Sequence, residues 1–174
     1  VSPEYQQLVN LFEKLKKLGY YVDWKILNTK DYSIPQNRER VFFVGTKKGE
    51  FKWPKKKKMK KLETYVDWKD NKEYNTKRIK KGDFKDNIFI DLNFINTTNF
   101  NNNLWSPCIN TKAGLWCIPC HRYANCKELL SLQGFPKNFK QVVSNSQMKK
   151  QIGNSMSINV LKEIIKSCLK INLK

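Results

Sequence analysis

The chain has 174 residues, 40% of them hydrophobic and 13% aromatic, enough for one domain or for a small domain plus a piece of another, and too apolar for a disordered tail. No apolar run approaches the roughly 20 residues of a membrane span and no secretory signal opens the chain, so a cytoplasmic protein without a membrane partner is expected. The net charge of +19 suits a polyanion, most simply nucleic acid, although a solvated lysine-rich surface gives the same balance.

The chain opens on Val1 rather than Met, as a fragment, a processed product or an alternative start would. Ser2 can cap a helix, Pro3 fits its first turn, and Leu8, Leu11, Phe12, Leu15 and Leu18 recur at helical spacing until Gly19. Tyr20 to Leu27 is rich in aromatic and β-branched residues and reads as a strand. After a loop holding Pro35, Arg40 to Thr46 reads as a second strand. Helix, strand, loop, strand is the grammar of an α/β sheet.

From Lys47 to about Cys120 the pattern becomes irregular, with short apolar bursts such as Ile88–Ile90 and Phe94-Ile95. It reads as a separate β or loop module. Its basic opening, with Lys55, Lys56, Lys57 and Lys58, is either a phosphate-contacting loop or a solvated run. Asn125 with Glu128 makes a capping box for a helix through Leu132, stopped by Gly134 and Pro136. Ser144 with Gln147 is a second box. Val160, Leu161, Ile164, Ile165, Cys168 and Leu169 form the apolar stripe of a last helix.

Lysine is the usual cation here, 30 Lys against four Arg, so the arginines mark places where a planar donor fork is needed. They are Arg38, Arg40, Arg78 and Arg122, and three of them fall in motifs. In Pro35-Gln36-Asn37-Arg38-Glu39-Arg40, two arginines two apart on an incipient strand point to the same side and can grip one phosphate or carboxylate together; a surface pair with Glu39 as counter-ion is the plain alternative. Leu132-Gln133-Gly134-Phe135-Pro136 is a helix end and tight turn. Gln151-Ile152-Gly153-Asn154-Ser155 precedes the last helix, where a Gly-Asn-Ser turn offers free backbone N–H groups to an anion, or serves as a plain N-cap.

In this order the three clusters resemble the C-terminal motifs of the carbon-5 cytosine methyltransferases. DYSIPQNRERVFFVG resembles the eighth of that family's ten motifs, HRYANCKELLSLQGFP is similar to the ninth, and QIGNSMSINVL resembles the tenth. The stretch between them stands where the family places its target recognition domain, and Ser106–Thr111 resembles a segment near that domain's end. The wording is closer to bacterial DNA-modifying members, as in restriction-modification, than to the tRNA-methylating branch.

The resemblance implies an α/β fold: the C-terminal strands and helices of a Rossmann-like methyltransferase domain plus a small, irregular, β-rich recognition domain. The expected division is 1–48 for the end of the catalytic domain, 49–120 for recognition, and 121–174 for the return to the catalytic domain. It also implies a reaction in which a thiolate attacks carbon 6 of a flipped cytosine and S-adenosylmethionine supplies the methyl group. Arg40 would contact the flipped nucleotide, Arg38 would brace the catalytic loop and Gln36 would position the strand. Asn154 and Ser155 would approach the cofactor's amino-acid end. Arg122 would orient the recognition module and join Lys55–Lys58 against double-stranded DNA.

The family's glycine-rich loop, Pro-Cys nucleophile and Glu-Asn-Val motif have no counterpart in these residues. Pro107-Cys108 and Pro119-Cys120 both lie on the wrong side of the arginine motif. The chain by itself is therefore expected to be inactive, and to need a complementary chain carrying those motifs. A stand-alone DNA-binding module or an inactive remnant is the alternative. Five cysteines, an odd number, are expected as reduced thiols. Cys117, Cys120 and His121 with Cys108 or Cys126 have the ligand chemistry of a structural zinc site; partly buried thiols without metal are the other reading, and no metal is assigned.

Overall fold

The computed structural model describes residues 3–70, 72, 79, 84–93, 104–112 and 114–172. Ser2, Arg78 and Phe94-Ile95, singled out above, lie outside the described residues. The described residues form a mixed α/β structure: α1 (Pro3–Lys17), β1 (Tyr21–Asn28), β2 (Glu39–Thr46), β3 (Phe89–Asp91), β4 (Leu115–Cys117), β5 (Arg122–Tyr123), α2 (Cys126–Leu132), α3 (Asn145–Asn154) and α4 (Ile158–Asn172). No helix among them is long and apolar enough to cross a membrane.

The chain divides into two compact units. The first holds Val1–Leu27, Glu39–Lys56 and Val160–Lys174, the second Asn28–Arg38 and Lys57–Asn159. This differs from the three consecutive segments expected. The loop between the first two strands and residues 122–159 gather in the unit that holds most of the irregular module, while Val160–Lys174 and the module's opening up to Lys56 lie in the first unit. The physical reason is hydrogen bonding that a linear reading does not reveal, described below.

In the first unit, β1 and β2 form a two-stranded sheet. Gly19, at φ +81, turns the chain out of α1, a left-handed conformation that costs glycine little. Phe42 and Val44 of β2 are buried, as are Leu27, Phe51, Val160 and Ile164. Phe12 of α1 meets Phe43 at 5.4 Å between ring centroids, and Trp53 donates its indole N–H to Asp23 at 2.6 Å. The apolar stripe of α4 is only half covered, because Ile165 and Leu169 are exposed.

The second unit carries an antiparallel three-stranded sheet in the order β3-β4-β5, with Ile90 opposite Trp116 and Trp116 opposite Tyr123. Its main core gathers Ile34, Leu62, Phe89, Leu115, Leu129, Leu132 and Ile152 among others. The helix signals read from sequence are realised here. Asn125 and Glu128 form the reciprocal capping box of α2, and the Ser144 side chain accepts from Gln147 N at the start of α3. LQGFP is a Schellman stop: Gly134 N donates to Ser131 O at 2.9 Å and Phe135 N to Leu130 O at 3.0 Å, with Gly134 at φ +84.

Candidate functional site: a buried hub of motif residues

Within the second unit the three motif clusters meet. The loop Asn28–Arg38 closes on itself through Thr29 N to Arg38 O at 3.0 Å and Arg38 N to Asn28 Oδ1 at 3.1 Å. It then runs beside Ser106 as a parallel bridge, with Ser106 N donating to Pro35 O and Asn37 N to Ser106 O. Gln36 is 0% exposed. Its Nε2 donates to Leu132 O at 2.7 Å and its Oε1 accepts from Ile109 N at 3.2 Å. Gln133, also 0% exposed, donates to Ile152 O at 3.0 Å and accepts from Ser157 Oγ at 3.3 Å. Two glutamines thus satisfy three buried backbone groups from three separate segments and one buried hydroxyl, groups that burial without a partner would leave costly.

Arg38 completes the hub. Its Nη1 donates to Ile109 O at 2.6 Å and to Cys108 Sγ at 3.3 Å, and its Nη2 donates to Gly153 O at 3.2 Å and Ser155 O at 2.7 Å. Gly153 and Ser155 stand at the C-terminal end of α3, where the helix dipole and end carbonyls favour a cation. Gly153 is required there: a Cβ would lie 2.5 Å from the backbone carbonyl carbon and oxygen of Asn110.

These positions correct two expectations. The Gly-Asn-Ser turn does not present free N–H groups at a helix N-terminus; Gly153 and Asn154 end α3, and Ser155 N and Oγ both donate back to Ile152 O. Nor do Arg38 and Arg40 form a joint grip. Arg38 is buried and both its terminal nitrogens are engaged, whereas Arg40 is exposed in the first unit, its Nη1 donating to Glu39 O.

A second polar node surrounds Arg122, which is 1% exposed. Nη1 and Nη2 donate to the two Glu128 carboxylate oxygens at 2.8 Å each, while Tyr123 O, Asp67 O and Asp70 O take the remaining donors. All five guanidinium N–H groups are thereby used. The expected DNA contact by Arg122 is corrected accordingly: this side chain binds the 67–70 segment to α2. Its pairing with Glu128 raises the guanidinium pKa further. A hydrogen bond from Asn125, reinforced by Arg122, holds the Asp70 carboxyl below its ordinary value.

Lys55 and Lys56 in the first unit and Lys57 and Lys58 in the second are exposed. Elsewhere in the second unit Lys30 stacks over Trp105 at 4.2 Å and Lys149 approaches Tyr123 at 5.8 Å. Among the described residues no three His, Cys, Asp or Glu side chains converge on a metal position. Cys117 is fully buried, and that burial, with the neighbouring Cys120, pushes its thiol far up. Such a thiol is inert as a nucleophile at neutral pH.

Residues 2–113 and 120–170 match the family model of C-5 cytosine-specific DNA methylases. The chain belongs to this family. It is 31% identical over 169 residues to the type II methyltransferase M.HaeII of Haemophilus aegyptius, covering 90% of this chain and 53% of that protein. It is 28% identical over 210 residues to M.MthTI of Methanothermobacter thermautotrophicus, covering 97% and 61%. The fold is similar to that of the Entamoeba histolytica methyltransferase EhMeth, with a TM-score of 0.64 at 16% identity over 99% of this chain and 61% of that one. The chain therefore spans between half and two thirds of the length of these family members.

Within the family frame, sequence reading missed Gln133 as a hub residue and Asp67 and Asp70 as partners of Arg122. Gln133 was visible inside LQGFP as a polar residue one step before a helix stop, but nothing marked it as buried. The aspartates follow no pattern. Gly153→Ala tests the hub's packing. Alanine in a helix normally gains roughly 1 kcal/mol over glycine, yet here its methyl group would collide with backbone at a cost of about 1–3 kcal/mol or more. A net loss of stability is expected in urea denaturation, and a raised midpoint would contradict the close approach.

Proposed function

We propose that this chain is the DNA-recognition and cofactor-completing part of a DNA (cytosine-5) methyltransferase, acting on a flipped cytosine once joined to the part that carries the Pro-Cys nucleophile. The observation that carries this reading is the convergence of all three family motifs on one buried hub, with Arg40 exposed two residues beyond it. In this reading the hub is a scaffold. Gln36 and Arg38 hold the loop 28–38 within the second unit, and Arg40 grips the phosphate or base of the flipped nucleotide as a bidentate fork. Flipping is needed because carbon 5 and carbon 6 are out of reach within the stacked duplex.

S-adenosylmethionine, when bound, supplies the methyl group. The residues present fit its amino-acid end in part: the Asn154 carboxamide is exposed at the end of α3, while the Ser155 hydroxyl is turned to Ile152 O. Asn154 would therefore do the holding and Ser155 would shape the turn. Lys55–Lys58 would contribute phosphate contacts along the duplex. Such contacts release counterions, so six of them would lower duplex affinity roughly 10³-fold between 50 and 200 mM salt. A filter-binding titration that stays flat over that range would assign the charge to solvation alone.

The decisive experiment measures transfer of labelled methyl groups to cytosine-containing duplex DNA. The chain alone should give none, because no activated nucleophile lowers the barrier. Mixing it with the separately expressed part of M.HaeII that it does not cover should restore labelling. In that mixture Arg40→Lys should lower turnover on the order of 10²-fold, since the charge is kept but the fork is lost. DNA affinity should hold, with Arg78→Lys nearly silent as control. Robust labelling by the chain alone, or equal effects of the two substitutions, would overturn the reading.

A further inference from the structure

The β4–β5 hairpin turns through Cys117-Ile118-Pro119-Cys120-His121, a cysteine spacing that neither the hub nor the Arg122 node explains. Cys117 ends β4, paired with Phe89 on one side and Arg122 on the other, and is 0% exposed. Ile118 N donates to Ile88 O at 2.9 Å and His121 N to Ile118 O at 3.1 Å, which fixes the backbone of the turn. So held, the Cys120 thiol is in hydrogen-bond contact with that of Cys117. Both thiols are free, and Cys120 is only partly covered. Among the described residues no third His, Cys, Asp or Glu converges with them, so a bond between the two sulfurs is chemistry the pair can complete by itself. The neighbouring thiols are engaged elsewhere: Cys108 accepts from Arg38 Nη1 at 3.3 Å, and Cys126 lies 3.6 Å from Asn145 Oδ1.

We propose that Cys117 and Cys120 are a redox-active dithiol, which a peroxide converts into a disulfide across the hairpin turn. Cys120, the partly exposed member, meets the oxidant first. Its sulfur attacks one peroxide oxygen, the O–O bond breaks, and the departing hydroxyl takes the thiol proton as water, leaving a sulfenic acid. The Cys117 sulfur then attacks the Cys120 sulfur, the S–O bond breaks, and the second hydroxyl leaves as water with the Cys117 proton. The two sulfurs together give up two electrons and one peroxide gains them. Burial makes Cys117 inert toward reagents in solvent, but against a sulfenic acid already in contact its attack is intramolecular. The same burial governs the way back. A reducing thiol reaches only the Cys120 sulfur and must expel Cys117, whose thiol burial and the neighbouring Cys120 push far up, and such a thiol is a poor leaving group. The bond is therefore a latch, quick to close and slow to open.

The test treats the full 174-residue chain with hydrogen peroxide, alkylates the remaining thiols in denaturant and maps the cysteines by peptide mass. The tryptic peptide 113–122 holds both residues and no other cysteine. It should appear unalkylated and lighter by two hydrogen atoms, and a dithiol reductant should restore alkylation at both positions. Reduction by glutathione should be at least tenfold slower in the folded chain than in urea. Cys117→Ser should divert Cys120 to the sulfinic acid; should that variant fail to fold, trapping of the Cys120 sulfenic acid by dimedone in the unsubstituted chain decides the order of attack. Both thiols still open to alkylation, a sulfinic acid at Cys120 beside an intact Cys117 in the unsubstituted chain, a bond from Cys120 to Cys108, Cys126 or Cys168, or equal reduction rates folded and unfolded would each overturn the proposal. The dithiol is independent of the catalytic reading, since its oxidation is measured on this chain alone.

Discussion

Replacing Glu128 by glutamine should destabilise the second unit by about 3–5 kcal/mol, because it leaves the Arg122 charge buried without its counter-ion. Glu128 accepts from both terminal nitrogens of Arg122, from Asp67 N and from Asn125 N, so the same substitution also weakens the capping box of α2. A paired change, Arg122→Met with Glu128→Leu, removes both charges together and should recover most of the loss, since well-packed apolar replacements of a buried ion pair are often neutral. Urea denaturation of the single and double variants measures both effects. If Glu128→Gln costs less than about 1 kcal/mol, the pair is screened as exposed pairs are, and the description of the node is wrong.

Arg38→Lys is the second large effect. A lysine ammonium has three donors on a flexible stem and cannot span the carbonyls of Ile109, Gly153 and Ser155 together. At least one buried carbonyl loses its charged donor, for an expected loss of about 2–4 kcal/mol. Hydrogen exchange should rise around residues 108–111 and 152–155, where the four contacts of the guanidinium lie, before it rises in β3 and β4. Stability within about 0.5 kcal/mol of the parent, the usual range for a surface change, would show that Arg38 is not the strap described.

The contrast between Arg38 and Arg40 shows how far sequence alone reached. Richness in aromatic and β-branched residues marked β1 and β2 to within a residue, and the capping residues marked α2 and α3, because these signals are local. The family motifs also pointed to the residues that form the hub. Their roles were less legible. Parity along a strand put both arginines on one side, but β2 starts only at Glu39, so parity does not govern Arg38. The fate of its guanidinium is set by carbonyls 71 to 117 residues away, a separation that no local pattern records. Arg122 escaped for a similar reason: a basic residue in a basic chain looks like a DNA contact until its partners at Asp67, Asp70 and Glu128 are known.

Gln36 has a temporal consequence. Its side chain bonds to groups 73, 96 and 97 residues further along the chain, and Thr29 O and Tyr32 O in the same loop accept from Asn159, 130 and 127 residues on. On a ribosome adding roughly 5–20 residues each second, the loop 28–38 leaves the tunnel about 4–26 s before the residues that hold it. Until then Gln36 and Arg38 stay hydrated and Ile34 has no core to enter. This loop is synthesised among the first elements and ordered among the last, which makes its docking a late, non-local and slow step in folding.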